Sequence, residues 1–90
     1  MIFLILTRLG YDQLMERSKA VPLAIWVNSG VLSEGELLKL RDSGVEVTNF
    51  VRSIDAGNPS AVEGAVATVQ EHHVGQTIWV EHTLTVTPEK

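Results

Sequence analysis

Short apolar runs alternate with segments of helical period along this chain. Ile2–Thr7 is apolar on both faces, the pattern of a strand covered from both sides. Tyr11, Leu14, Met15 and Ser18 fall at i, i+3, i+4 and i+7 and predict a helix, which Pro22 ends. Leu23–Val27, rich in Ile, Trp and Val, reads as a second strand. Ser33 followed by Glu36 forms a capping box, with Leu32 and Leu37 placed for a hydrophobic staple, so a helix over Glu34–Asp42 is expected. Gly44 is its stop. Val45–Val51 is the third strand, with Val45, Val47 and Val51 on one face and Glu46 and Thr48 on the other. Asn58-Pro59 starts another helix, with Asn as cap and Pro at the first helical position. Val62, Ala65, Val66, Val69 and His73 trace its buried stripe, and Gly75 ends it. Gln76–Val86 is the fourth strand: Ile78, Val80, His82, Leu84 and Val86 share one face, and Thr77, Trp79, Glu81, Thr83 and Thr85 the other.

The order β-α-β-α-β-α-β makes parallel strand neighbours joined by right-handed crossovers. The fold expected is a single α/β domain over residues 1–90: a three-layer sandwich with a four-stranded, mainly parallel sheet and three helices. Polarity orders the strands, because central strands of a parallel sheet are apolar on both faces while edge strands tolerate polar positions. Strands one and two are the most apolar. Strands three and four carry Glu46, Thr48, Asn49 and Glu81, Thr83, Thr85. The order is therefore read as 3-2-1-4, half of a Rossmann-like sheet. The alternative is the flavodoxin-like 2-1-3-4, which puts strand two on an edge.

Composition then narrows the function. The 90 residues are 44% hydrophobic and 20% charged, an ordinary globular balance. Seven basic against eleven acidic residues give a net charge of -4, which argues against a nucleic-acid binder and against docking on anionic lipid. Without cysteine, thiol nucleophiles, thiolate metal sites and iron–sulfur clusters are excluded. Ile2–Leu6 is far shorter than the roughly 20 residues of a membrane span, and no basic stretch precedes it. The cytoplasm is the compartment expected.

In an open parallel sheet, ligands sit beyond the C-terminal strand ends, where helix N-termini also point. The loops there hold Thr7 and Arg8, then Asn28 and Ser29, then Arg52, Asp55 and Asn58. His82 falls late in strand four, near the same edge. This set suits a small anion, with Arg8 and Arg52 as charge partners that approach one crevice and with Asp55 as the group able to lie between them. The same residues also serve as turns and caps in exposed loops. Known chemistries are missing. Thr7-Arg8-Leu9-Gly10-Tyr11-Asp12 carries no dinucleotide fingerprint, and there is no phosphate-binding P-loop and no nucleophile elbow. No cofactor is expected. Adjacent His72 and His73 point about 100° apart on a helix, so no metal site is expected either. His82 interrupts an apolar face, as a general base or as a core-edge residue bonded to backbone. Trp79 reads as an interface anchor or as a ring packed beneath the third helix.

The function expected is that of a small soluble module, homo-oligomeric or partner-binding and without catalysis. The alternative is a minimal enzyme or sensor binding a small anionic metabolite at the C-terminal sheet edge. The long fourth strand, residues 76–86, is the expected homodimer contact.

Overall fold

The computed structural model describes residues 2–17 and 24–81. In chain order these form β1 (Ile2–Ile5), α1 (Arg8–Arg17), β2 (Ala24–Val27), α2 (Glu34–Asp42), β3 (Glu46–Asn49), α3 (Pro59–His72) and β4 (Ile78–Val80). The strands make a four-stranded sheet of order β3-β2-β1-β4, every pairing parallel. This is the polarity-derived order. β1 and β2 are central, and their apolar side chains are buried on both faces, whereas β3 carries exposed polar positions and Trp79 of β4 stays exposed. In the register, Phe3 lies beside Ile25 and Trp79, and Leu4 beside Trp26 and Val80.

Each face of the sheet supports its own core. Ile2, Leu4, Leu6, Ala24 and Trp26 pack against Ala65 and Val69 of α3. Ile5, Ile25, Val27, Val45 and Val47 pack against Leu32 and Leu37, with Tyr11, Leu14 and Met15 of α1 covering the same side. Val69, Leu4, Ile25 and Val27 lose essentially all their exposure. Burial of such a side chain is worth about 1.5–3 kcal/mol.

The helix starts follow the sequence signals. Ser33 Oγ accepts from the Glu36 N–H at 3.2 Å, and Glu36 Oε1 accepts from the Ser33 N–H at 2.9 Å. Leu32 and Leu37 are buried in one cluster, as a staple requires. Gly44 takes φ 93° just past α2, a left-handed conformation that a side chain would strain. Asn58 Oδ1 accepts from the N–H groups of Ser60 and Ala61 at the start of α3. Replacing Ser33 by Ala should cost about 1 kcal/mol in a denaturant titration; an unchanged midpoint would mean that the box does not hold α2.

The structure corrects two placements. Val51 lies beyond β3 and is 94% exposed, so it does not share the buried face of Val45 and Val47. Trp79 is not beneath α3. Its neighbour Ile78 takes the α3 face, and strand alternation sends Trp79 to the α1 face beside Phe3. The fourth strand begins at Ile78 rather than Gln76. The remainder of that expected strand from His82 onward, with His82, Leu84 and Val86, lies outside the described residues, as do Ser18 and Pro22.

Candidate functional site

The loops at the C-terminal sheet edge are tied together by one buried amide. Asn28 directly follows β2 and is 6% exposed. Its Nδ2 donates to the carbonyls of Leu6, at 3.0 Å, and Ile54, at 2.8 Å. Its Oδ1 accepts from the Ile54 N–H at 2.8 Å. The exits of β1, β2 and β3 are thereby locked to a single side chain. Both N–H groups and the oxygen of that amide are matched to backbone, so Asn28 holds the edge together.

Thr7 caps α1, its Oγ1 accepting from the Gly10 N–H at 3.1 Å. The same hydroxyl donates to Glu81 Oε2. Glu81 Oε1 accepts from the N–H groups of Leu6 and Thr7, at 2.7 and 2.9 Å. A carboxylate of the chain itself therefore occupies the entrance of α1, where an anion would be attracted. Gly10 makes the room. A Cβ there would lie 2.1 Å from Glu81 Oε1.

Arg8 turns sideways to Glu36 and Asp12. Its Nη1 lies 2.8 Å from Glu36 Oε2, and its Nε lies 3.2 Å from Asp12 Oδ1. Nη1 also donates to the Val31 carbonyl, and the guanidinium lies 5.3 Å from the Tyr11 ring centre. The Ser33 N–H and Arg8 together hold the Glu36 carboxyl below its ordinary range. The Glu36 carboxylate in turn raises the Arg8 pKa. Asp55 reaches neither arginine; its Oδ1 accepts from the Gly57 N–H. Asn58 is spent on α3. Ser29 lies in the turn closed by the Val31 N–H on the Asn28 carbonyl. Arg52 is exposed and forms no ion pair among the described residues. The structure thus unites Asn28 with the β1 and β3 exits and Thr7 with Glu81. It brings Arg8 and Arg52 into no shared contact.

Opposite these loops, Trp26 anchors the C-terminal end of α3. Its Nε1–H donates to His73 Nε2 at 3.0 Å, which requires a lone pair on that nitrogen. The rings of Phe50, His72 and His73 lie 5.3, 5.3 and 5.9 Å from Trp26. His72 Nδ1 lies 2.9 Å from the Thr68 carbonyl. Among the described residues no group of His, Asp and Glu side chains is arranged to hold a metal ion.

The two sheet edges differ. In a parallel ladder, alternate residues turn both backbone groups to one side. Thr77 and Glu81 bond Ile2 and Leu4, so the N–H and C=O of Ile78 and Val80 face away from the sheet. At the other edge Phe50 bonds Val27, so Val47 and Asn49 face outward. There Arg41 Nη2 caps the Val47 carbonyl at 3.0 Å. The β3 edge is capped at this one carbonyl and carries Glu46, Thr48 and Asn49, whereas the β4 edge is apolar and its outward groups are unpaired among the described residues. Trp79 is 54% exposed and Val80 38%. Both line a groove of about 260 Å3 between β4 and α1, with Phe3, Leu14, Gln13 and Arg17 on its walls.

Sequence reasoning missed Glu81, which it placed only as a polar strand position. Gly10 was the available signal: a glycine inside the first turn of a helix weakens it unless something must come close. Arg41 carried no local signal, because its partner is a backbone carbonyl. Compared with models of known families, with curated proteins and with solved structures, the chain has no significant match to any of them.

Proposed function

We propose that this chain is a non-catalytic α/β binding module that takes an extended partner segment along β4. The observation that carries this reading is the contrast between the sheet edges. Arg41 covers an outward carbonyl of the polar β3 edge, whereas among the described residues the N–H and C=O of Ile78 and Val80 on apolar β4 are open beside an exposed Trp79. An open edge is a template for strand addition, in which backbone hydrogen bonds give affinity and flanking pockets give selectivity. The groove between β4 and α1 provides such a pocket, and a half-exposed Trp is a typical anchor. The anion-site reading has less in its favour, since Glu81 already occupies the entrance of α1 and Arg8 is held by two carboxylates.

A short synthetic peptide of alternating valine and threonine tests strand addition without assuming the natural partner. Its binding should shift the amide resonances of Ile78 and Val80 and slow their hydrogen exchange. Val80→Pro removes an outward N–H, so no bond within the sheet is lost, and the extended Trp79 accepts a following proline. This variant should weaken the peptide about tenfold, the equivalent of one hydrogen bond. Resonance changes confined to the Arg52–Asn58 loop would move the site away from β4.

A further inference from the structure

We infer that the partner segment is β4 of a second copy of this chain, paired antiparallel across a two-fold axis at Trp79. This rests on the strand-addition reading and names its occupant. The outward backbone groups belong to Ile78 and Val80, which flank Trp79 symmetrically. With Trp79 opposite its counterpart, the Ile78 of each copy faces the Val80 of the other. Each such pair exchanges an N–H for a C=O in both directions, which satisfies all the open groups of the edge. Trp79 meets its counterpart at the closely spaced, non-hydrogen-bonded position, with Cα atoms about 4.5 Å apart. Aromatic pairs are favoured there.

The groove is self-complementary in charge as well. Gly10, Leu14 and Arg17 line it along α1, and Glu81 sits against Gly10. Its acidic end therefore adjoins the start of α1 and its basic end the Arg17 end. An antiparallel two-fold sets the Arg17 end of one copy beside the Glu81 end of the other. A two-fold contact uses the same edge of both copies, so pairing β4 with β4 closes as a dimer.

The test uses mass and charge exchange. Light scattering on the full chain at micromolar concentration should give twice 9.9 kDa. Trp79→Lys and Trp79→Glu each place like charges across the axis and should give monomers with unchanged amide spectra away from β4. Mixing the two variants should restore a one-to-one dimer. A wild-type mass of 9.9 kDa at every concentration overturns the inference. So does a Trp79→Lys protein that stays dimeric, or a mixture that stays monomeric. If the wild type is monomeric yet the valine–threonine peptide still binds at β4, strand addition stands and self-pairing alone falls. If neither occurs, both fall.

Discussion

Replacing Asn28 should have the largest effect on stability of any polar substitution in the described residues. Asn28→Ala strands the carbonyls of Leu6 and Ile54 and the N–H of Ile54 at the point where three strand exits meet. Leaving a buried polar group unpaired costs about 1–3 kcal/mol. The Ile54 groups are partly reached by water, which discounts their share, and a total loss of about 3 kcal/mol is expected. Asn28→Asp should be worse at neutral pH. Its carboxylate still accepts from the Ile54 N–H but faces the two carbonyls that the amide had served. The folded state then favours the protonated acid, so its pKa is raised on folding. The stability of this variant is accordingly greatest in acid and is lost as pH rises through the folded-state pKa. Urea titrations of the wild type and both variants at neutral and acid pH provide the measurement. With a slope of about 1–3 kcal/mol per molar urea, the Asn28→Ala midpoint should fall by at least about 1 M. A smaller fall, or an Asp variant insensitive to pH, would show that Asn28 is not what joins the loops.

The fold was legible to the extent that it depends on short-range pattern. The Ser33–Glu36 box, the Asn58-Pro59 start and the Gly44 stop are local devices, each decided within a few residues. Strand order was legible because solvation sorts strands: Glu46 and Thr48 on β3 have no apolar layer to sit under. The candidate site was legible only as a location. Its loops do lie at the C-terminal sheet edge, but composition could not tell a ligand group from a structural one. Asn28 is bonded to Ile54, Arg8 to Glu36 and Thr7 to Glu81, and such pairings are decided by packing between elements far apart in the chain. Trp79 illustrates the same limit. Alternation shows that it opposes Ile78, yet which face α3 covers is set by the crossovers and not by the strand itself.

The second large effect is a change of sign at Gly10. In an ordinary helix, Gly→Ala gains about 1 kcal/mol. Gly10 has no left-handed backbone requirement, but a Cβ would lie 2.1 Å from Glu81 Oε1 and 2.2 Å from its Cδ. Gly10→Ala must therefore expel the carboxylate, losing its bonds to the Leu6 N–H, the Thr7 N–H and the Thr7 hydroxyl. Hydrogen bonds to a charged acceptor are worth about 1.5–3 kcal/mol when buried. These are only part-buried, so about 2 kcal/mol for the whole set is the expected loss. Against the gain in helix propensity, the single Gly10→Ala variant should end about 1 kcal/mol less stable than the wild type. Glu81→Ala should cost about 2 kcal/mol. In that background Gly10→Ala should stabilise by up to about 1 kcal/mol, since the obstacle is gone. The double-mutant cycle then shows a coupling of about 2 kcal/mol between residues that sequence separation alone would treat as independent. The same sign for Gly10→Ala in both backgrounds would remove Glu81 from the entrance of α1. Because Glu81 directly follows β4, its carboxylate also fastens β4 to the start of α1. Glu81→Ala should therefore loosen the wall of the groove and weaken the valine–threonine peptide, even though no atom of the Glu81 side chain belongs to the open backbone edge.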